Sequence, residues 1–196
     1  MPQSKTEILK NEAREKGIPI IQDQGLAFLL SLIASYNCRD ILELGMAVGY
    51  SAIMMAKQSK DIRIITLERD RDLYDQAVSN IQDEELQDQI TPILTDIKDY
   101  RTDDMFDLIF VDAGKAHYME YTEQFLDNLK EDGIMVYDNL NFHGMYLDPE
   151  SIHNRNTKAL VKKLNKFYNN VIGDERFHCE MYREIGDGIL VLRRKK

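Results

Sequence analysis

The chain has 196 residues, of which 43% are apolar and 30% charged, and this composition is ordinary for a single soluble globular domain. No stretch approaches the roughly 18 uninterrupted apolar residues that a membrane span needs, and the charged N-terminus lacks the apolar core of a secretory signal, so we expect a cytoplasmic protein. The net charge of −9 argues against a protein that coats nucleic acid through a large basic face.

Two helices are predicted near the N-terminus, over residues 5–16 and 23–36, because Gly17-Ile18-Pro19 interrupts the helical pattern between them. From there, short β-branched and apolar segments alternate with helical ones. The predicted strands occupy residues 40–45, 62–68, 90–94, 106–112, 133–138, 176–184 and 188–194. The later predicted helices occupy residues 51–58, 70–81, 117–129 and 156–169.

This order of elements predicts an α/β fold. Continuous apolar runs such as LIFV and IMV indicate strands that are covered on both faces, and strand–helix alternation indicates a doubly wound, Rossmann-like parallel sheet with helices on both faces. Only IGD separates the last two of the seven strands, too short for a crossover helix, so they should form an antiparallel C-terminal hairpin. We predict a single domain, residues 1–196, with N-terminal helices in 1–36 and the Rossmann-like core in 37–196.

Acidic residues recur at the ends of the predicted parallel strands. They are Glu43, Glu68, Asp96, Asp112 and the pair Asp138-Asn139. In a doubly wound sheet, ligands bind beyond these carboxyl ends. A charge that ends a buried strand is costly unless something neutralises it, so the recurrence indicates a binding site at this edge.

The first strand-to-helix turn, LELGMAVGYS, narrows the choice of ligand. Its glycines, Gly45 and Gly49, have Ala47 between them, so the G-x-G-x-x-G spacing of a dinucleotide site is absent and pyrophosphate binding is disfavoured. Glu43, just before the turn, would repel a phosphate but attract a cationic aminoacyl group.

Two further acids extend the description of the ligand. Glu68 is placed to accept both hydroxyls of a ribose, and Asp96 is placed to hold an adenine amino group. Adenine, ribose and an amino acid ammonium together describe S-adenosylmethionine. The alternative is that these acids are solvated loop residues.

A second group of rim residues suggests a metal site. Asp112, Asp138 and Asn139 supply three hard oxygens from two neighbouring strand ends, which suits Mg²⁺ or Mn²⁺, while the four histidines share no spacing that would favour zinc. Strand-end acids that cap helices or pair with Lys or Arg are the alternative.

Four segments carry a family resemblance: ILELGMAVGYSAIMMA, ITLERD, FDLIFVDAGKAHY and GIMVYDNL. In this order and spacing they resemble the metal-dependent O-methyltransferases related to catechol and caffeoyl-CoA O-methyltransferase, over essentially the whole chain. The stretch from Asp138 to Gly144, DNL-x-F-x-G, looks most like the tRNA 5-hydroxyuridine methyltransferases of Gram-positive bacteria.

The resemblance implies roles for individual residues. The catalytic residues would be Lys115 and Asp112. Lys115, three residues after Asp112, resembles the catalytic lysine, which would take the acceptor's proton or stabilise its oxyanion. The alternative for Lys115 is a surface lysine at a helix start. The cofactor-binding set would be Glu43, Gly45, Ala47, Gly49, Tyr50, Ser51, Glu68, Arg69, Asp96, Ile97 and Asp112.

The acceptor is less well defined. Ile20, His143 and Arg155 are candidate substrate contacts, and the segment from His153 to Lys166 has five Lys or Arg and no acid, which suits a phosphate backbone unless it is only a solvated helix face. The aromatic residues Tyr118, Tyr121 and Phe142 would stack on a base or belong to the core.

These residues leave several functions open. We expect the partner to be a tRNA anticodon loop, or else a small hydroxylated aromatic molecule such as a catechol, with no membrane association; a homodimer stays open. Alternatives from another class are a non-catalytic S-adenosylmethionine-binding protein and an NAD-linked oxidoreductase, although the G-x-x-x-G spacing counts against NAD.

Overall fold

A computed structural model describes residues 3–141 and 152–195, which form one seven-stranded sheet. The strands are β1 (Asp40–Leu44), β2 (Arg63–Glu68), β3 (Ile90–Leu94), β4 (Phe106–Val111), β5 (Leu129–Tyr137), β6 (Phe177–Tyr182) and β7 (Ile189–Arg194). Their order is β3-β2-β1-β4-β5-β7-β6; β1 to β5 pair in parallel, while β7 runs antiparallel to both of its neighbours. The predicted mostly parallel sheet with an antiparallel C-terminal hairpin is confirmed.

The helices cover both faces of the sheet. They are α1 (Lys5–Glu15), α2 (Asp23–Ser35), α3 (Tyr50–Ala56), α4 (Arg71–Asp83), α5 (Tyr118–Phe125) and α6 (Arg155–Ile172), with 3₁₀ turns at Lys115–His117 and Leu126–Asn128. Since successive strand residues point to opposite faces, Leu108 and Phe110 of β4 join the core under α1 to α4, whereas Ile109 and Val111 join the core under α5 and α6.

Strand β5 begins earlier than predicted. The sequence Lys-Glu-Asp-Gly after Leu129 has the composition of a turn, yet Leu129 is buried and pairs with Phe106 across an irregular register. The Lys130 ammonium donates to Asp40 at 2.7 Å and to Asp107 at 2.9 Å, which fixes this first part of β5 beside β1 and β4. Pairing between distant residues therefore extends the strand where local composition predicts an end.

Helix α6 is the longest helix described and has one apolar face. Val161, Leu164, Phe167 and Val171 are buried along it, and Asn154 caps its first turn by accepting from two backbone N–H groups. The segment runs to Ile172, beyond its predicted end. Within the described part of the chain, no helix is both long enough and apolar enough to cross a bilayer.

Candidate active site

Two adjoining cavities lie at the carboxyl ends of the strands, beside the point between β1 and β4 where the strand order reverses. This is where a doubly wound sheet binds its ligands. The larger cavity has a volume of about 440 Å³ and the smaller one about 390 Å³. Both cavities are lined by Gly45, Glu68, Ala113 and Lys115. The predicted rim of acids and glycines therefore forms one cleft with two compartments.

Glycine is required where the loops after β1 and β4 meet. Gly45 has φ +111°, and a Cβ on it would lie 2.6 Å from the Cβ of Ala113. Gly49 has φ +82° and precedes the first residue of α3. Ala47 also has a positive φ, +48°, and its N–H donates to the Glu68 carboxylate at 2.9 Å. The loop is thus held in an unusual conformation on the cleft wall, as the glycine spacing suggested.

Glu68 is fixed on the wall between the two cavities. One of its carboxylate oxygens accepts from Ala47, and the other accepts from the N–H groups of Arg69 at 2.8 Å and Asp70 at 2.9 Å. Arg69 lies 3.7 Å from the Asp96 carboxylate, and both residues line the larger cavity together with Ile97. These predicted cofactor residues therefore come together around one compartment.

Glu43 lies behind the loop rather than on the cleft wall. It is fully buried, and its two carboxylate oxygens accept from the Ser51 and Thr66 hydroxyls, each at 2.5 Å. Tyr50 is buried too, at the start of α3. The sequence predicted a ligand contact for Glu43, Tyr50 and Ser51. In the structure, Glu43 instead connects α3 to β2 beneath the glycine loop, through its hydrogen bonds with Ser51 and Thr66.

Glu43→Gln should remove a pH dependence of folding stability. Burial raises the pKa of Glu43 from 4.5 to about 7, even though the Ser51 and Thr66 hydroxyls favour its ionised form. The folded state therefore holds a proton that the unfolded state releases, so stability falls as pH rises from about 4.5 to about 7 and is then constant.

Urea unfolding in EDTA measures the free energy of unfolding of the unsubstituted protein and of Glu43→Gln at each pH. Between about pH 5 and pH 8, the free energy of unfolding of the unsubstituted protein should fall by about 2–3 kcal/mol more than that of Glu43→Gln. Parallel pH profiles would show that Glu43 does not titrate in this range.

Asp112 and Asp138 come together at the ends of adjacent strands. Asp112 follows Val111 of β4, Asp138 follows Tyr137 of β5, and these two strand residues are paired. The side-chain N–H of Asn139 donates to Asp112 at 3.1 Å, and the backbone N–H of Asn139 donates to Asp138 at 2.7 Å. All three predicted metal ligands therefore lie on the wall of the smaller cavity.

The electrostatics of this group favour a bound cation. Burial raises the pKa of Asp112 well above its usual range, and the neighbouring Asp138 raises it further. Burial likewise raises the pKa of Asp138. Lys115 opposes both shifts, and a bound dication would oppose them more strongly because it favours the ionised form of both acids.

The donor set suits a hard divalent cation. It consists of two carboxylates and one amide, oxygen ligands of the kind that Mg²⁺ and Mn²⁺ prefer. Across residues 3–141 and 152–195, no group of three or more His, Cys, Asp or Glu side chains converges, so the described residues offer no zinc-type site. Asp112, Asp138 and Asn139 are the residues placed to hold such an ion.

Lys115 lines both cavities. It begins the 3₁₀ turn after Gly114, whose φ is +62°. A Cβ on Gly114 would lie 2.5 Å from the Tyr121 hydroxyl, so the turn and α5 are in close contact. The predicted lysine therefore reaches the boundary between the compartments, next to the acid pair.

The larger cavity is also lined by His117, Tyr121 and Leu160. The sequence carries no signal for His117 or Leu160, since helical periodicity marks Leu160 simply as apolar. For Tyr118 and Tyr121 it left base stacking and the core as alternatives; Tyr118 is fully buried in the core, whereas Tyr121 reaches the cavity wall.

The predicted substrate contacts have different outcomes. Ile20 lines the smaller cavity, as a substrate contact would. Arg155 is exposed at the start of α6 and lines neither cavity. Phe142, His143 and Gly144 lie outside the described residues.

Comparison with known proteins identifies the family of this chain. Residues 3–195 match the model of an O-methyltransferase family. The chain is 30% identical to caffeoyl-CoA O-methyltransferase of Populus kitakamiensis over 192 residues, which cover 91% of this chain and 79% of that protein. A crystal structure of a candidate caffeoyl-CoA O-methyltransferase from Staphylococcus aureus superposes with a TM-score of 0.93 and 28% identity, covering 98% of this chain and 93% of the other.

A second similar structure is an O-methyltransferase from Bacillus cereus in complex with S-adenosylhomocysteine. Its TM-score is 0.83 at 24% identity, and the match covers 100% of this chain and 93% of the other, so it supports the fold. The extent of the family match and the similarity of the poplar enzyme decide the family. The chain belongs to the caffeoyl-CoA O-methyltransferase-like family of S-adenosylmethionine-dependent O-methyltransferases.

Proposed function

We propose that this O-methyltransferase needs Mg²⁺ or Mn²⁺ and methylates 5-hydroxyuridine in the anticodon loop of tRNA. The observation that carries the metal dependence is the convergence of Asp112, Asp138 and Asn139 beside Lys115 on one cavity wall. Ionising the buried Asp138 next to the partly buried Asp112 is costly, and a dication would offset that cost.

The larger cavity is proposed to hold the adenosine part of S-adenosylmethionine. Glu68 would accept the ribose hydroxyls, since three backbone N–H groups fix its orientation. Asp96 and Ile97 would contact the adenine, and the backbone of Gly45, which lines both cavities, would lie beside the aminoacyl end. The Bacillus cereus structure is a complex with S-adenosylhomocysteine, which supports S-adenosylmethionine as the cofactor.

The smaller cavity would hold the acceptor. A dication held by Asp112, Asp138 and Asn139 would lower the pKa of the acceptor hydroxyl. Lys115 would take the hydroxyl proton or stabilise the resulting oxyanion. That oxygen then forms a bond to the methyl carbon as the carbon–sulfur bond breaks and S-adenosylhomocysteine leaves. The cleft walls, including Ile20, hold the two reactants in line.

Two features support tRNA as the acceptor. The DNL-x-F-x-G stretch resembles that of the tRNA 5-hydroxyuridine methyltransferases. Helix α6 contains no acid, carries five Lys or Arg, and borders the larger cavity through Leu160. A helix of this charge beside the cleft suits contact with a phosphate backbone while a single-stranded base enters the smaller cavity.

A small catechol or another vicinal-hydroxyl molecule is the second candidate. The caffeoyl-CoA O-methyltransferase of poplar is similar over most of its length, and the net charge of −9 suits a small acceptor better than a large polyanion. The oxidoreductase alternative is set aside by the family match.

The test combines tRNA analysis with purified enzyme. Mass spectrometry of tRNA nucleosides from a strain that lacks the gene should show 5-hydroxyuridine in place of 5-methoxyuridine. The purified enzyme should methylate that tRNA with Mg²⁺ and lose activity in EDTA. Unchanged nucleosides together with methylation of catechol would favour the small-molecule acceptor, and full activity in EDTA would contradict the metal dependence.

A further inference from the structure

Tyr118 lies directly beneath the candidate metal ligands. It is the first residue of α5, three residues after Lys115, and only 1% of it is exposed. Its hydroxyl donates a hydrogen bond of 2.8 Å to the backbone carbonyl of Asp138. One side chain thus connects the turn that carries the lysine to the turn that carries two of the three ligands.

The peptide group that Tyr118 contacts sets the direction of both ligands. It joins Asp138 to Asn139: its carbonyl accepts from Tyr118, and its N–H donates to the Asp138 carboxylate at 2.7 Å. Asn139 has φ +65°, a left-handed conformation that is uncommon outside glycine, although asparagine adopts it more often than most residues. Rotation of this peptide would relax that conformation and move the Asn139 side chain away from Asp112.

The surroundings prevent the Tyr118 ring from moving. The ring centroids of Tyr137 and Phe167 lie 5.2 Å and 5.6 Å from it. The Thr122 hydroxyl bonds to the Tyr118 carbonyl at 2.7 Å and to the Tyr137 hydroxyl at 2.6 Å. The Tyr118 hydroxyl is therefore a fixed donor rather than one that adapts to the turn.

On these grounds we propose that Tyr118 is a positioning residue, whose hydroxyl holds the Asp138–Asn139 peptide in the orientation that directs both side chains at the cation. This inference rests on the proposed metal dependence. Groups that orient metal ligands typically affect metal affinity by about 10- to 100-fold. The competing explanation is that the hydroxyl donates to the Asp138 carbonyl only because a buried polar group needs a partner. In that case, its loss would affect folding stability alone.

Tyr137 offers a matched control. It is fully buried in the same aromatic cluster, but its hydroxyl bonds to Thr122 instead of the ligand peptide. Tyr118→Phe and Tyr137→Phe therefore remove the same chemical group from the same surroundings, and only the first loses the contact with Asp138. Both variants should lower the melting temperature of the metal-free protein to a similar extent.

Binding of Mn²⁺, followed by electron paramagnetic resonance of the free ion, separates the two explanations. Tyr118→Phe should weaken Mn²⁺ binding by about tenfold, Tyr137→Phe by less than about twofold, and both should bind S-adenosylhomocysteine within about twofold of the unsubstituted protein. Methyl transfer by Tyr118→Phe should recover at high Mn²⁺ concentration.

Equal Mn²⁺ affinities for Tyr118→Phe and Tyr137→Phe would overturn the positioning role while leaving the metal site intact. Failure of the unsubstituted protein itself to bind Mn²⁺ would overturn both this role and the proposed metal dependence. The two failures are therefore distinguishable in one titration.

Discussion

Lys115→Met should lower kcat by about 10²- to 10⁴-fold, the usual range for loss of a group that moves a proton or stabilises a developing charge. Lys115 lines both cavities, and its charge favours the ionised forms of Asp112 and Asp138, so it is close to the acid pair. A cation at that place repels a bound dication. Affinity for Mn²⁺ should therefore stay the same or rise, in contrast to the loss of turnover.

Lys115→Arg distinguishes the two roles of the lysine. Arginine keeps the positive charge but does not give up its proton near neutral pH. Activity that survives in Lys115→Arg would assign charge stabilisation to the lysine, whereas a loss as large as that of Lys115→Met would assign proton transfer. If Lys115→Met retained full kcat at saturating metal, the lysine would have no part in the chemistry.

The fold was readable from the sequence because its signals are local. Runs such as LIFV are buried on both faces in β4. The segment between the last two strands, three residues long in the prediction and six (residues 183–188) in the structure, is too short for a crossover helix and allows only a hairpin. The start of β5 was not readable, since it depends on Lys130 meeting Asp40 and Asp107 from distant parts of the chain. Composition alone marks that segment as a turn.

The candidate site was predictable to the extent that strand order determines it. Asp112 and Asp138 meet because β4 and β5 are adjacent and parallel, which the alternation of elements already implied. Glu43 was harder to place: it lies inside β1, paired with Phe110 and so two residues before the level of Asp112, and its side chain points into the hydroxyls of Ser51 and Thr66 instead of the cleft. Which way a strand-end side chain points depends on packing that a single sequence does not display.

Asp138→Asn should change stability in opposite directions with and without metal. The substitution keeps an oxygen to accept from the Asn139 N–H but removes the buried acid that neighbours the partly buried Asp112. In EDTA at about pH 8, the variant should therefore be more stable to unfolding by about 1–3 kcal/mol, because each unit of relieved pKa elevation corresponds to about 1.4 kcal/mol.

Added Mn²⁺ should remove or reverse the difference in the free energy of unfolding between Asp138→Asn and the unsubstituted protein. A ligand at 100 times its Kd stabilises the folded state by about 2.7 kcal/mol, and Asp138→Asn forgoes most of this gain because it has lost a charged ligand. Methyl transfer should fall by about 10³-fold, since several kcal/mol of charge stabilisation are lost. Urea unfolding in EDTA and in Mn²⁺, with a methyl-transfer assay beside it, checks all three results. If Mn²⁺ stabilised the variant and the unsubstituted protein equally, Asp138 would not be a ligand, and the acid pair would need another explanation.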